Sequence, residues 1–288
     1  MLYTQNVLKR IVFACLCISL FQGCNKVSPA QNLPTYIHID SFSFNHTPSQ
    51  NALTNINAVW VYYNNSPIGE FDLPVTFPVI ANGTGTITLS PAIAVNGLNE
   101  MEQTYPFYTN DTFSFTAQPG YTINHSPVTS YYSATKFQPI SDFNTGTGFT
   151  QSGGNRGIVL ITADSLKYPG AATGGIFLTS PGDSSADSTN IPFLISGSDN
   201  FIEFDYKCTI PFTLYLQANL SNLVSGAPTF VADVSPSGNW QKFYLYVSAF
   251  AAQAMGSSYD LYISTSLPPG RQNGMVLLAN INLLSLPQ

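Results

Sequence analysis

Phe201-Ile202-Glu203-Phe204-Asp205-Tyr206-Lys207-Cys208 is the stretch that decides the fold. Its apolar side chains fall at every second position and its charged ones fill the gaps. That period belongs to a strand, whose successive Cβ atoms point to opposite faces of the pleat. A helix would need apolar groups three and four residues apart. Ile202, Phe204, Tyr206 and Cys208 therefore share one face, and Glu203, Asp205 and Lys207 share the other. The alternation continues downstream. In 212–219, Phe212, Leu214, Leu216 and Ala218 oppose Thr213, Tyr215, Gln217 and Asn219. In 240–247, Phe243, Leu245 and Val247 oppose Trp240, Lys242, Tyr244 and Tyr246. In 259–264, Leu261 and Ile263 oppose Asp260, Tyr262 and Ser264.

Working outward, 157–161, 175–179 and 276–284 bring the strand candidates of the block 134–288 to seven. Upstream, 34–132 reads the same way, with strands expected at 36–44, 56–63, 68–71, 75–80, 86–89 and 112–116. Asn64-Asn65-Ser66-Pro67 is a hairpin turn. Residues 133–140 are a link or the first strand of the second block. No stretch longer than ten residues has helical periodicity. Short strands punctuated by Gly, Pro, Asn and Ser predict an all-β chain of two β-sandwich domains, 34–132 and 134–288.

The second block resembles the galactose-binding-like jelly rolls used by many carbohydrate-binding modules. The resemblance is carried by Glu203-x-Asp205-Tyr206-Lys207, by Trp240-Gln241-Lys242-Phe243-Tyr244, and by the terminal Leu278-Ala279-Asn280-Ile281-Asn282-Leu283. That family usually has Asp before the Asn, where this chain has Ala279, so no acidic role is carried over there. The turn pattern of the first block, with Ile68-Gly69, Leu73-Pro74 and Pro78-Val79, is similar to immunoglobulin-like or PEGA-type sandwiches. The resemblance implies a jelly roll that binds glycan.

If the four alternating strands share one sheet, the face away from the core displays Glu203, Asp205, Tyr215, Trp240, Lys242, Tyr244, Tyr246 and Tyr262. Lys207 and Gln217 join them. A pyranose offers an apolar C–H face and a rim of hydroxyls, which aromatic planes beside polar groups suit. The same face also reads as a packing surface against the first block, or as a Tyr-rich solvated one.

At the N-terminus, Lys9 and Arg10 precede eleven nearly apolar residues, 11–21. As a helix these span roughly 16 Å, half of a ~30 Å hydrocarbon core, which is the length of a signal peptide. Leu20-Phe21-Gln22-Gly23-Cys24 resembles the lipobox of bacterial lipoproteins, with Phe21 for the usual Leu and a bulky Gln22. The resemblance implies cleavage of 1–23, lipid on Cys24, and 24–33 as a tether. Asn25, where Asp would hold a lipoprotein in the inner membrane, points to the outer membrane, with the leaflet open. Cleavage after Ser28-Pro29-Ala30 would instead release a soluble protein. Of the four cysteines only Cys208 remains beyond these, so no intramolecular disulfide is expected, and Cys208 reads as a buried core residue.

Without 1–23 the chain has seven basic and fifteen acidic residues, a net charge of −8. That excludes phosphate-backbone binding, which needs clustered cations. His38, His46 and His125 lack zinc-motif spacing. Gly153-Gly154-Asn155-Arg156-Gly157 has no following Lys-Ser/Thr and reads as a loop. The carboxylate pairs Glu203/Asp205 and Glu100/Glu102 read as ordinary, and no cofactor is expected. Asp183-Ser184-Ser185-Ala186-Asp187 is a candidate structural calcium loop. The sequence expects no enzyme. It expects a lipid-anchored envelope protein that binds glycan, or a structural subunit of an outer-membrane assembly that binds a protein partner.

Overall fold

Asn64 and Asn65 adopt φ of 47° and 65°, the left-handed pair that a tight two-residue hairpin requires and that Asn tolerates. They join strand β3 (Ile56–Tyr63) to β4 (Ser66–Asp72) as the sequence predicts. The structure is a computed structural model that describes residues 32–47, 53–98, 102–197, 199–220 and 225–287. The signal segment, Cys24, Asn25 and Glu100 lie outside the described residues.

The hairpin belongs to a sheet ordered β4-β3-β6-β7, where β6 is Thr84–Ala94 and β7 is Glu102–Thr104. Strand β8 (Asp111–Thr116) also pairs with β6. A second sheet sets β1 (Thr35–Ile39) antiparallel to β5 (Val75–Val79) and parallel to β9 (Thr122–Asn124). A short pair, β2 (Ser43–Phe44) and β10 (Val128–Thr129), completes the block. Two expectations need correction. The run 36–44 is two strands in two sheets, because Asp40 swings out to 85% side-chain exposure and leaves the ladder. The strand at 112–116, last of those expected in this block, is followed by two more, β9 and β10. The core between the two larger sheets holds Ile37, Ile39, Val59, Val61, Ile87 and Leu89, all at 0% exposure.

The second block is a two-sheet sandwich. Its larger sheet runs β13 (Val159–Leu160), β14 (Gly174–Leu178), β21 (Gly274–Ser285), β16 (Asn200–Cys208), β19 (Ser237–Tyr246). Strand β11 (Lys136–Ser141) pairs with the second half of β21, so 133–140 leads into the block's first strand. The smaller sheet runs β12 (Phe149–Gly154), β15 (Ser184–Thr189), β20 (Ser258–Ser266), β17 (Phe212–Asn219), β18 (Thr229–Val234). Helix α1 (Ser248–Ala254) follows β19. Phe204, Leu214, Leu216, Leu261, Val276 and Leu278 meet between the sheets and exclude water. Cys208 is 1% exposed in this core, and burial pushes its thiol up to about 11. Among the described residues no helix is long and apolar enough to cross a membrane.

All seven expected strands of this block form, although 157–161 shrinks to Val159–Leu160. Three more, β12, β15 and β18, are not among the expected strands. In β15 the inward positions are Ser185, Asp187 and Thr189, polar groups with hydrogen-bond partners: Ser185 donates to Asp187 Oδ2, Ile158 N–H donates to Asp187 Oδ1 at 3.1 Å, and Thr189 donates to Asp260 Oδ1 at 2.8 Å. The expected loop 153–157 begins as the end of β12. There Gly154, at φ +75°, leaves a Cβ only 2.3 Å from Ser184 O. Backbone on both sides cannot yield, so Gly154→Ala is expected to cost about 2–4 kcal/mol through left-handed strain plus overpacking. Gly182, at φ +90° with nothing within 4 Å, should lose only about 1–2 kcal/mol as alanine. Urea unfolding of the two variants measures the difference.

Candidate binding face

The four alternating strands do not share one sheet, so the condition for a single aromatic face is not met. β16 and β19 lie in the six-stranded sheet, and β17 and β20 lie in the five-stranded one. The three residues Thr209-Ile210-Pro211 carry the chain from one sheet to the other, with Ile210 buried in the core at 1% exposure. The single aromatic face is therefore two faces, on opposite sides of the sandwich.

On the six-stranded sheet, Glu203 (2%), Asp205 (0%), Lys242 (2%) and Tyr244 (1%) are buried against the first block. Tyr105 and Tyr131 donate their hydroxyls to the two oxygens of Glu203, each at 2.6 Å. Lys242 Nζ lies 3.0 Å from Glu203 Oε2 and 3.7 Å from Asp205 Oδ1. Asn280 adopts φ 52° at a bulge in β21 and donates its side-chain amide to Asp205 Oδ2 at 2.8 Å. The Tyr108 and Tyr244 hydroxyls meet at 2.9 Å, and Asn55 N–H donates to Tyr244 Oη at 3.1 Å. Around them Ile93, Phe107, Phe201 and Leu284 form a core shared by both blocks. Burial pulls the Lys242 ammonium down, but the Glu203 and Asp205 carboxylates outweigh it and leave it raised. Burial, then the charge of Glu203, holds the Tyr105 and Tyr131 phenols well above 10.

Tyr246 and Trp240 sit at the margin of this packing. Tyr246 N–H donates to Asn96 Oδ1 at 2.8 Å and its ring lies 4.9 Å from that of Phe201. The Trp240 ring stands edge-on to Tyr168 at 5.1 Å. Both are half-buried. Six of the eight sequence-derived candidates thus line a face that the chain itself covers wholly or in part.

The other two stay open. Tyr215 and Tyr262 are direct cross-strand partners on β17 and β20, and both are partly exposed. A register shift in β18 after Leu214↔Ala232 sets Phe230 opposite Tyr215. The two rings stand edge-on at 6.2 Å, and Phe230 is 56% exposed. Three aromatic side chains thus sit on adjacent strands in one row, roughly 10 Å from first to last at the usual strand spacing. Polar groups flank them. Tyr262 donates its hydroxyl to Gln217 Oε1. Asn219 donates to Asp260 Oδ2 at 2.7 Å, and Thr213 to Asp233 Oδ1 at 2.7 Å. Beside Tyr215 a shallow depression of about 550 Å³ is lined by Thr213, Asp233, Ser264 and Pro268. Sequence reasoning missed Phe230 and Asp233. The alternation of Thr229–Val234 is visible, but a bulge, which no period reveals, decides which residue faces outward.

Asp183 of the proposed calcium loop is surrounded by donors. Thr179 N–H reaches Oδ2 at 2.8 Å, Asn155 Nδ2 reaches Oδ1 at 2.8 Å, and Arg156 Nε reaches Oδ2 at 2.9 Å. The Thr179 backbone N–H, with Asn155 and Arg156, holds this carboxyl down at about 2 against an ordinary 3.8. A depressed acid stabilises the fold above its unfolded value and loses that contribution as pH falls through its folded one. Asp183→Asn should therefore flatten the acid limb of thermal stability between pH 3.8 and about 2, as read by melting temperature against pH. Glu102 accepts from Asn57, and its carboxyl is raised to about 6 by burial, then by Asp72 and Glu70. His38 bonds Thr76 Oγ1 at 2.8 Å, His125 bonds Asp111 Oδ2 at 2.6 Å, and His46 bonds a backbone carbonyl. Among the described residues no group of three or more His, Cys, Asp or Glu is placed to hold a metal ion.

No protein-family profile matches the chain, and no curated protein does. Solved structures do. The chain is similar to the family 11 carbohydrate-binding module from Clostridium thermocellum in complex with a β-1,3-1,4-mixed-linked tetrasaccharide, at TM-score 0.40 and 11% identity. That match covers 51% of this chain and 94% of the module. A family 29 carbohydrate-binding module complexed with mannohexaose matches at TM-score 0.34 and 16% identity, over 52% and 92%. TmCBM61 with β-1,4-galactotriose matches at TM-score 0.36 and 14% identity, over 50% and 94%.

Proposed function

We propose that the chain is a lipid-anchored binding protein of the cell envelope that holds a glycan on the open face of its five-stranded sheet. The observation that carries this reading is the row Phe230–Tyr215–Tyr262 with Gln217, Asn219, Asp233 and Asp260 beside it. A sugar ring laid on these planes loses water from its C–H face, while its hydroxyls reach amides and carboxylates at the margin. Asp233 and Asp260 on that face, with a net charge of −8 after residue 23, favour neutral polysaccharides over sulfated or uronate-rich ones. Cys24 is the anchor and the outer membrane its location. The Gly23-Cys24 boundary and Asn25 support both.

The test is affinity electrophoresis of the purified protein through gels containing neutral and acidic polysaccharides. Retardation by a neutral glycan is expected. No retardation across the panel overturns the glycan, and a stoichiometric protein recovered with the chain from membranes would then favour the assembly-subunit reading.

A further inference from the structure

We propose that the end of the β5-β1-β9 sheet where the chain enters the fold is a lipid-facing surface, which lies on the bilayer that Cys24 enters. Leu33 (65% exposed), Tyr36 (37%), Ile80 (67%) and Tyr121 (70%) meet there. Sheet register brings them together. Thr35 pairs with Val79, which places Ile80 across from the residues just ahead of β1. Tyr36 N–H donates to Tyr121 O at 2.9 Å, and Gly120 N–H donates to Pro34 O at 2.9 Å. The segments 33–37, 77–83 and 116–123 that form this end contain no Asp, Glu, Lys or Arg. Four large apolar side chains thus lie open in an uncharged surround, where a solvated face would carry charge.

The length of chain ahead of this patch identifies the occupant. Eight residues separate Cys24 from Leu33, so even fully extended they hold Leu33 within roughly 30 Å of the acylated thiol. Tyrosine, apolar in its ring and polar at its tip, belongs at the headgroup level, with Leu and Ile beneath it. The patch has no cation of its own, so the contact is apolar insertion, indifferent to anionic lipid and to salt. Such a contact fixes the tilt of the molecule on the bilayer.

This inference rests on the lipid-anchor reading, and one sample separates the two. Full-length lipidated protein carrying Tyr121→Trp is reconstituted in phosphatidylcholine vesicles, with or without bromine on the acyl chains near the headgroups. The parent protein supplies the background from Trp60 and Trp240. The reporter's emission is expected to fall about twofold in brominated vesicles, as for a side chain seated at the acyl boundary, at low and high salt alike. Leu33→Ser with Ile80→Ser should abolish the quenching. The mass of the N-terminal peptide reports the acyl chains on the same sample. An acylated protein without quenching overturns the surface and leaves the anchor, whereas a missing acyl mass overturns both. Dimers in sedimentation, lost with the same two serine changes and with no quenching, would assign the patch to a second copy and overturn the bilayer contact.

Discussion

Lys242→Met should lower the unfolding free energy by about 3–5 kcal/mol, the usual cost of removing one partner from a buried ion pair. The side chains of Lys242, Glu203 and Asp205 are 1%, 3% and 0% exposed. The cluster already holds two carboxylates for one cation. Its remaining charge is met by the Tyr105 and Tyr131 hydroxyls and the Asn280 amide, as a buried charge must be. Methionine fills a similar volume and takes away only the cation, so packing changes little and the measured loss is electrostatic. Adding Glu203→Gln should recover part of the loss, because the two sites share one network and cannot be additive. The pH dependence follows from the same groups. Lys242 is raised above 10.5 by the two carboxylates, and Tyr105, Tyr108, Tyr131 and Tyr244 are raised above 10 chiefly by burial. Groups raised in the fold stabilise it fully below their unfolded values and release that stability as pH climbs through their folded ones. Wild type should therefore hold its stability up to about pH 10 and lose it steeply beyond. Urea denaturation at several pH values measures both. A Lys242→Met loss under about 1 kcal/mol would contradict a charged cluster. Because Tyr105 and Tyr131 come from the first block, the variant should also separate one unfolding transition into two.

The alternation of Phe201–Cys208 and Phe212–Asn219 is legible in the sequence down to the inward and outward residues, because pleating is a local rule. The Asn64-Asn65 turn is legible for the same reason. Which sheet a strand joins is not local. Thr209-Ile210-Pro211 is as short as a hairpin loop, yet it crosses the sandwich, and only the burial of Ile210 against the core decides this. The partners of Glu203 lie 98 and 72 residues upstream, so a strand that looks half-solvated is buried on both faces. Of the uses open to the aromatic face, packing takes Tyr244 with Glu203, Asp205 and Lys242, while Tyr215 and Tyr262 stay on an exposed face. The polar inward side of β15 hid that strand from any hydrophobic count.

That division gives the second large effect. Tyr215→Ala and Tyr262→Ala should each weaken glycan binding about tenfold, the equivalent of 1–2 kcal/mol per aromatic plane. The two residues pair directly across β17 and β20, so one sugar unit spans both and the double variant should approach a hundredfold only if they act independently. Stability should change little, because neither ring enters the inter-sheet core. Trp240→Ala is the control that separates this face from the one first expected. Its ring packs on Tyr168 beside the six-stranded sheet, on the far side of the sandwich, so affinity should stay within about twofold of wild type. Titration calorimetry with the retarded polysaccharide reads all three variants. Loss of binding in Trp240→Ala with Tyr215→Ala unaffected would move the glycan to the opposite sheet and refute the open-face assignment. Loss in Tyr215→Ala alone would place the ligand toward β18, over Phe230 and the depression edged by Asp233, and would make Phe230→Ala the stronger of the remaining substitutions.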